Sequence, residues 1–365
     1  MSTSQTTTIN ITKAATSKIN EVDFDNLSFG AVFTDHLFEC DFKNGAWQQP
    51  VIKPYQPFLL DPSAKVFHYG QAIFEGMKAY KDDNNDLWLF RPDENYKRFN
   101  ASAVRMAMPE VPEEVFMNGL NELLKIDEAW VKKGLGNTMY IRPFMIATGD
   151  GVVANPSSEY KFMIILSPAK AYYSGEVKVL IAEHYSRAAN GGIGAAKAAG
   201  NYAASFYPTK LAAEEGYEQI IWTDDATHKY FEESGTMNVF VRINDTIYTP
   251  PTSEKILDGV TRDSFLQLAK HNGIDVKVEP VEVAKVLEAH SKGELIEVWG
   301  VGTAVVTSVF KAIGYKDQKL TLPELSEEES FALTLKKALV DIQTNKAEDP
   351  FGWRVKVEKH ILETA

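Results

Sequence analysis

A single cysteine, Cys40, stands among 365 residues, so an intrachain disulfide and a cysteine-built metal cluster are both excluded. A reducing compartment, the cytoplasm, is the expected setting. No apolar run comes near the roughly 18 residues that a membrane span needs, and no secretory pattern opens the chain. Residues 1–20 are rich in Ser and Thr, carry Lys13 and Lys18 but no acid or arginine, and are expected to be disordered. Basic charge is in deficit, with 38 Lys and Arg against 50 Asp and Glu and a net charge of −12 spread along the chain. That balance argues against a nucleic-acid partner while leaving local sites for small anions.

Several common active-site patterns are also missing. The seven histidines include no pair at i, i+4, so a zinc-binding helix is excluded and no metal is expected. Neither a Gly-x-Ser-x-Gly elbow nor a P-loop occurs. Gly192-x-Gly194 opens like a dinucleotide fingerprint, but Lys197 takes the place of the third glycine.

What is present is an alternation of strand-like and helical stretches. Val66–Tyr80 and Leu87–Phe90 flank the polar tract Lys81–Asp86 and read as a hairpin. Asp93 is the expected N-cap of one helix, and a second should run from about Pro112 to Lys132-Lys133-Gly134. Thr138–Ala147 and Tyr160–Leu166 read as strands. Punctuation at Ser167-Pro168-Ala169-Lys170 and Ser174-Gly175 marks a linker. Beyond it the pattern predicts strands at Val177–Ala182, Gln219–Trp222, Met237–Ile243 and Leu295–Val309. Helices are expected from Thr261 and from Glu327. The expected organisation is a disordered 1–20, an α+β domain over 21–168, a linker over 169–177 and an α/β domain over 178–365.

The segment Gly191-Gly192-Ile193-Gly194-Ala195-Ala196-Lys197-Ala198-Ala199-Gly200-Asn201-Tyr202 sets one lysine among small residues, with a phenol five positions on. A solvated lysine needs no such setting, whereas one kept for covalent work on a flat cofactor does. The glycines read as clearance for that cofactor. Pyridoxal phosphate chemistry further requires a partner for the ring nitrogen, one for the ring hydroxyl and a phosphate cup. Glu233, in Glu232-Glu233-Ser234-Gly235-Thr236-Met237-Asn238, is a carboxylate just before a tight turn. Asp258-Gly259-Val260-Thr261-Arg262 opens a helix with free N–H groups, and Gly300-Val301-Gly302-Thr303-Ala304 forms a second turn able to hold an anion. Taken singly, each has an ordinary reading: a salt-bridged lysine, a solvated acid, a plain N-cap.

Six ordered blocks together resemble a branched-chain amino acid aminotransferase, of the class whose cofactor fold is called type IV. They are His68-Tyr69-Gly70 with Phe74-Glu75-Gly76-Met77-Lys78-Ala79, Met139–Pro143, Lys197–Tyr202, Glu233–Asn238, Gly259–Arg262 and Gly302–Ala304. The resemblance runs from about Phe33 to Lys359. It implies a two-domain α/β (α+β) fold, with a smaller N-terminal domain, a larger C-terminal one and pyridoxal 5'-phosphate between them. It implies that Lys197 forms the Schiff base and shuttles a proton, that Glu233 pairs with the pyridine nitrogen and Tyr202 with the ring oxygen. Arg98, Val260, Thr261 and Thr303 would hold the phosphate. Tyr69, Phe74, Tyr140, Arg142, Thr236, Thr303 and Ala304 would bind substrate. Arg142 would pair with the side-chain carboxylate of glutamate when that substrate occupies the pocket. The implied reaction is ping-pong transamination of L-leucine, L-isoleucine and L-valine with 2-oxoglutarate by a homodimer, with Gly149–Asn155 closing the partner's site. Animal relatives continue the last turn into a Cys-x-x-Cys switch, but Val305 and Ser308 occupy those places here, so thiol control is not expected. Other type IV enzymes, a D-amino acid aminotransferase or an aminodeoxychorismate lyase, share the lysine and glutamate and stay open as alternatives, as does a non-catalytic binding module.

Overall fold

The computed structural model describes residues 8–170 and 177–358. The chain divides into two units, Met1–Tyr172 with Ile342–Ala365, and Tyr173–Asp341. The division falls inside the expected linker 169–177, of which 171–176 lie outside the described residues. Two expectations about the ends change. Asn10–Ile11 pairs in parallel with Val51–Pro54, and Ser17 Oγ donates to Asp35 Oδ2 at 2.5 Å, so 8–20 is held rather than disordered. At the other end, Arg354–Lys356 pairs with Leu87–Phe90, and Trp353 stacks edge-on against Phe90 at 5.6 Å, so the end of the chain returns to the first unit instead of staying with 178–341. Both segments are too short to show a strand period.

The first unit is built on a sheet in the order Asn10–Ile11, Val51–Pro54, His36–Lys43, Tyr160–Ala169, Thr138–Ala147, Met77–Lys81, Leu87–Phe90, Arg354–Lys356. Ala72–Phe74 pairs off this path with Thr138–Ala147. Helices Pro92–Arg105 and Glu113–Ile126 cover it. Val115, Phe116, Gly119, Leu120, Leu123 and Leu124 are buried, one apolar stripe at helical spacing. Phe116 lies 5.6 Å from Phe162 and 5.7 Å from Phe99. Truncating such a ring costs about 3–5 kcal/mol.

Three local expectations are corrected. Lys65–Tyr69 is a short helix closed by Gly70 at φ 58°, not strand, and the hairpin is confined to Met77–Lys81 and Leu87–Phe90. Helix Pro92–Arg105 begins one residue before Asp93, which lies in the first turn, where its charge favours the dipole without capping. The second helix stops at Ile126 rather than near Gly134. There Asp127 turns its carboxylate to His36, taking that residue's N–H at 3.1 Å and lying 2.7 Å from its Nδ1.

In the second unit the strand order is Phe231–Ser234, Gln219–Thr223, Val177–Ile181, Val306–Tyr315, Leu295–Gly302, Met237–Ile243, Thr246–Thr249, Asp275–Val278. Phe231–Ser234 pairs with Met237–Ile243 as well as with Gln219–Thr223, so the strands from Phe231–Ser234 to Met237–Ile243 close into a ring. Val179, Ile221, Val239, Val241, Val298 and Ile313 are buried in its core. Closure sets the loops at one rim side by side, and the predicted chemistry gathers there.

Candidate active site

The loop carrying Lys197 lies between Val177–Ile181 and helix Ala199–Glu214. Asn201, buried at the start of the helix, donates its amide to Ile193 O at 2.8 Å and to Ala196 O at 2.9 Å. Ala195 N donates to Glu254 O at 2.9 Å. These bonds turn the loop back on itself and aim the lysine: Lys197 Nζ lies 3.0 Å from Tyr202 Oη. A Cβ on Gly194 would stand 2.5 Å from Ala188 Cβ and 2.6 Å from Lys255 O. The clearance at Gly194 therefore serves the neighbouring backbone, which corrects its reading as space for a cofactor. An Asn201→Ala variant takes the side-chain donor from Ala196 O and leaves Ile193 O with Ala196 N alone, at 3.0 Å, and is expected to lose about 1–3 kcal/mol of stability, readable as a lower melting temperature.

Glu233 lies in strand Phe231–Ser234 and faces Asn238 across a hairpin. Gly235, at φ 57°, takes the first central place of the two-residue turn, the place that a II′ geometry reserves for glycine. Leu257 N donates to Glu233 Oε1 at 2.7 Å, and Arg187 Nε stands 3.2 Å from Oε2. Burial pushes the Glu233 carboxyl pKa up, while Arg187, the Leu257 N–H and Lys197 pull against it. The neighbouring Glu232 has its own cation, Lys255, at 2.6 Å. Among the described residues, Glu233 shares with Arg187, Asn201, Tyr202 and Thr236 the lining of a small pocket that opens to solvent.

Two turns complete this rim. Helix Val260–His271 starts against Glu233's hairpin: Asn238 Nδ2 donates to Leu257 O at 2.9 Å, and a Cβ on Gly259 would overlap Asn238 Oδ1. Asp263 N is bonded to Gly259 O at 2.9 Å, which leaves the N–H groups of Val260, Thr261 and Arg262 outside the helical ladder. Thr303 and Ala304 occupy the turn between Leu295–Gly302 and Val306–Tyr315, beside Thr236: a Cβ on Gly302 would lie 3.8 Å from Thr236 O. Val306 closes that turn at φ 61°, with Thr307 N on Val305 O at 2.7 Å, a γ-turn built on a β-branched residue. Such strain, of order 1–3 kcal/mol, persists only where the surrounding structure over-determines it. A nucleophilic amine, a phenol, a buried carboxylate and two N–H-rich turns thus share one rim. That donor set fits a planar, phosphorylated aldehyde cofactor.

The first unit gathers part of its predicted set. Arg142 lies over the Phe74 ring at 4.6 Å and donates to Tyr140 Oη at 2.9 Å; its Nε is buried with no hydrogen-bond partner among the described residues. A Cβ on Gly76 would overlap Tyr140 Oη, so glycine there lets Tyr140 stand. Tyr69 donates instead to Val152 O, tying the short helix to segment 149–155. Arg98 is not paired with Glu94, which takes Lys97. Its Nε and one Nη donate to the fully buried Glu75 at 2.7 and 2.8 Å. Sequence reasoning missed Arg187, Asn201 and Glu75. Of these, Asn201 alone carried a signal, an asparagine at a helix start. Among the described residues no group of His, Cys, Asp or Glu is placed to hold a metal, and no helix is long and apolar enough to cross a membrane.

Residues 72–333 match the family of class IV amino-transferases. Branched-chain-amino-acid transaminase 1 of Bacillus subtilis is 43% identical over 340 residues, covering 92% of this chain and 95% of its own. Among solved structures, the branched-chain amino acid aminotransferase of Escherichia coli superposes with a TM-score of 0.71 at 24% identity, over 87% of this chain and 99% of that one. The branched-chain amino acid aminotransferase of Thermobaculum terrenum, in its PLP-form, gives a TM-score of 0.70 at 18% identity, over 89% and 99%. At these identities the two structures are alike in fold.

Proposed function

This chain belongs to the class IV aminotransferases, and we propose that within them it moves the amino group of L-leucine, L-isoleucine and L-valine to 2-oxoglutarate by a ping-pong mechanism. It is a pyridoxal 5'-phosphate enzyme of the branched-chain aminotransferase kind. That cofactor supplies an aldehyde for covalent attachment and a ring that draws electrons from the substrate's alpha carbon. The observation that carries the reading is the Lys197–Tyr202 pair, 3.0 Å apart, on the rim that bears the buried Glu233.

The chain's own residues divide the work. Lys197 is the nucleophile and the carrier of the alpha proton. Tyr202 would donate toward the ring oxygen, and Glu233 would hold the proton on the ring nitrogen. Val260, Thr261 and Thr303 would hold the phosphate with backbone N–H and hydroxyl groups; in the first unit Arg98 is the candidate for an anion, with its fork held by Glu75. Thr236, Thr303 and Ala304 would receive the substrate carboxylate, and in the first unit Tyr69 is a further candidate for substrate. Phe74 and Tyr140 supply apolar surface, where each buried methylene adds about 0.8 kcal/mol. The buried, unpartnered Nε supports Arg142 as the group that meets the glutamate side chain. A homodimer in a reducing cytoplasm belongs to the same proposal. In its support, Val152 and Val153 of segment 149–155 are apolar and exposed. Cys40 is buried, and burial pushes its thiol up to about 12.

L-Leucine with 2-oxoglutarate should yield L-glutamate in a coupled assay. Activity with D-alanine and none with L-leucine would transfer the assignment to a D-amino acid aminotransferase, and a colourless protein without aminotransfer would make it a binding module. In an Arg142→Gln enzyme the KM for glutamate should rise about 10-fold or more, the worth of a hydrogen bond to a charged group, while that for leucine moves little. Equal changes in the two constants would remove the dual-substrate role.

A further inference from the structure

Arg187 lies ten residues before Lys197 and is nearly buried, its side chain 8% exposed. It touches three parts of the site. Nε lies 3.2 Å from Glu233 Oε2, and one Nη donates to Gly194 O at 3.2 Å, inside the lysine loop. The same Nη donates to Lys255 O, in the segment whose Leu257 N–H holds the other oxygen of Glu233. Glu232 feels this cation as well, but less than it feels Lys255. Successive residues of a strand point to opposite faces, and Glu232 is paired with Lys255. The charged groups that bear on Glu233 are Arg187, Lys197 and Glu232, with Lys255 and Asp225 answering Glu232 behind it.

We propose that Arg187 is a positioning residue that keeps the Glu233 carboxylate ionised and in one orientation, and that ties it through Gly194 O to the loop aiming Lys197. The inference rests on the reading that Glu233 faces the ring nitrogen of pyridoxal phosphate. A proton shared between a carboxylate and a pyridine nitrogen goes to whichever base its surroundings favour. A desolvated carboxylate without a counter-ion gains proton affinity. With Arg187 in place the carboxylate stays the weaker base and the proton stays on nitrogen; without it the proton passes to Glu233 and the ring becomes a poorer electron sink. A structural arginine would only hold the loops together.

The test uses the full chain loaded with ring-nitrogen-labelled (15N) pyridoxal phosphate, with ring protonation read by NMR, and the melting temperatures of the apoproteins alongside. Wild type should show a protonated ring nitrogen. Arg187→Gln should shift the signal toward the neutral pyridine and move the acid limb of the kcat profile up by about one pH unit or more. Arg187→Lys, which keeps the charge and loses the fork, should restore the protonated signal even where melting temperature and cofactor affinity fall. If Arg187→Gln does not fold, the Lys variant decides alone: a neutral ring in a folded, loaded Lys variant overturns the proposal. A protonated ring in folded Arg187→Gln overturns it equally. A neutral ring or absent binding in wild type would instead count against the reading of Glu233 itself.

Discussion

Replacing Lys197 with alanine should abolish aminotransfer, by about 10⁴-fold or more, while leaving the protein folded. The size follows from the two tasks the amine combines. In the proposed function it attaches the cofactor as nucleophile and moves the alpha proton as general base and acid; proton transfer by a placed side chain alone is worth about 10²–10⁴-fold. Folding should survive because the loop is held by groups other than this side chain. Asn201 bonds Ile193 O and Ala196 O, Arg187 bonds Gly194 O, and Ala195 N bonds Glu254 O. The melting temperature of the apoprotein should therefore stay near the wild-type value. The loaded wild-type protein should absorb at about 410–420 nm, and the alanine variant should lack that band. A variant that keeps both band and turnover would move the nucleophile to another residue.

The legibility of this site divides by the range of its interactions. Strands Thr138–Ala147 and Met237–Ile243 lie where alternation and apolar content place them, because both signals are local. Lys197, Tyr202 and Glu233 stand out in the sequence as candidates for a different reason. Their chemistry demands unusual neighbours, a lysine among small residues and an acid before a tight turn. Arg187 left no such mark, since its meaning depends on Glu233, which folding alone brings to 3.2 Å. Arg98 shows the same limit. Its place in a helix suggests a partner one turn back, yet the helix face turns it to Glu75, in the chain between two strands. The C-terminal strand Arg354–Lys356 escaped notice because three residues carry no period, and its pairing with Leu87–Phe90 spans most of the chain.

Glu233→Gln should bind the cofactor and lose about 10²-fold or more of kcat, the scale on which one preorganised electrostatic group is removed from an active site. Glutamine reproduces the shape of the side chain and can still accept from Leu257 N, now at 2.7 Å from Oε1. It cannot supply the charge proposed to keep a proton on the ring nitrogen, so binding should survive while the electron sink is weakened. The same substitution has a second signature in the apoprotein. Burial raises the Glu233 pKa above its ordinary 4.5, so the folded chain takes up a proton here more readily than the unfolded one. Its contribution to stability is then full below about 4.5 and is lost as pH rises through the folded-state value. Chemical denaturation of apo wild type should show this decline with rising pH, and the Gln variant should lack it. Absolute stability is a poorer readout, because removing the buried charge also leaves Arg187 without its counter-ion, and the two effects oppose. Turnover near the wild-type rate in Glu233→Gln would show that the ring proton is held by some other group, and the site would have to be rebuilt around that group.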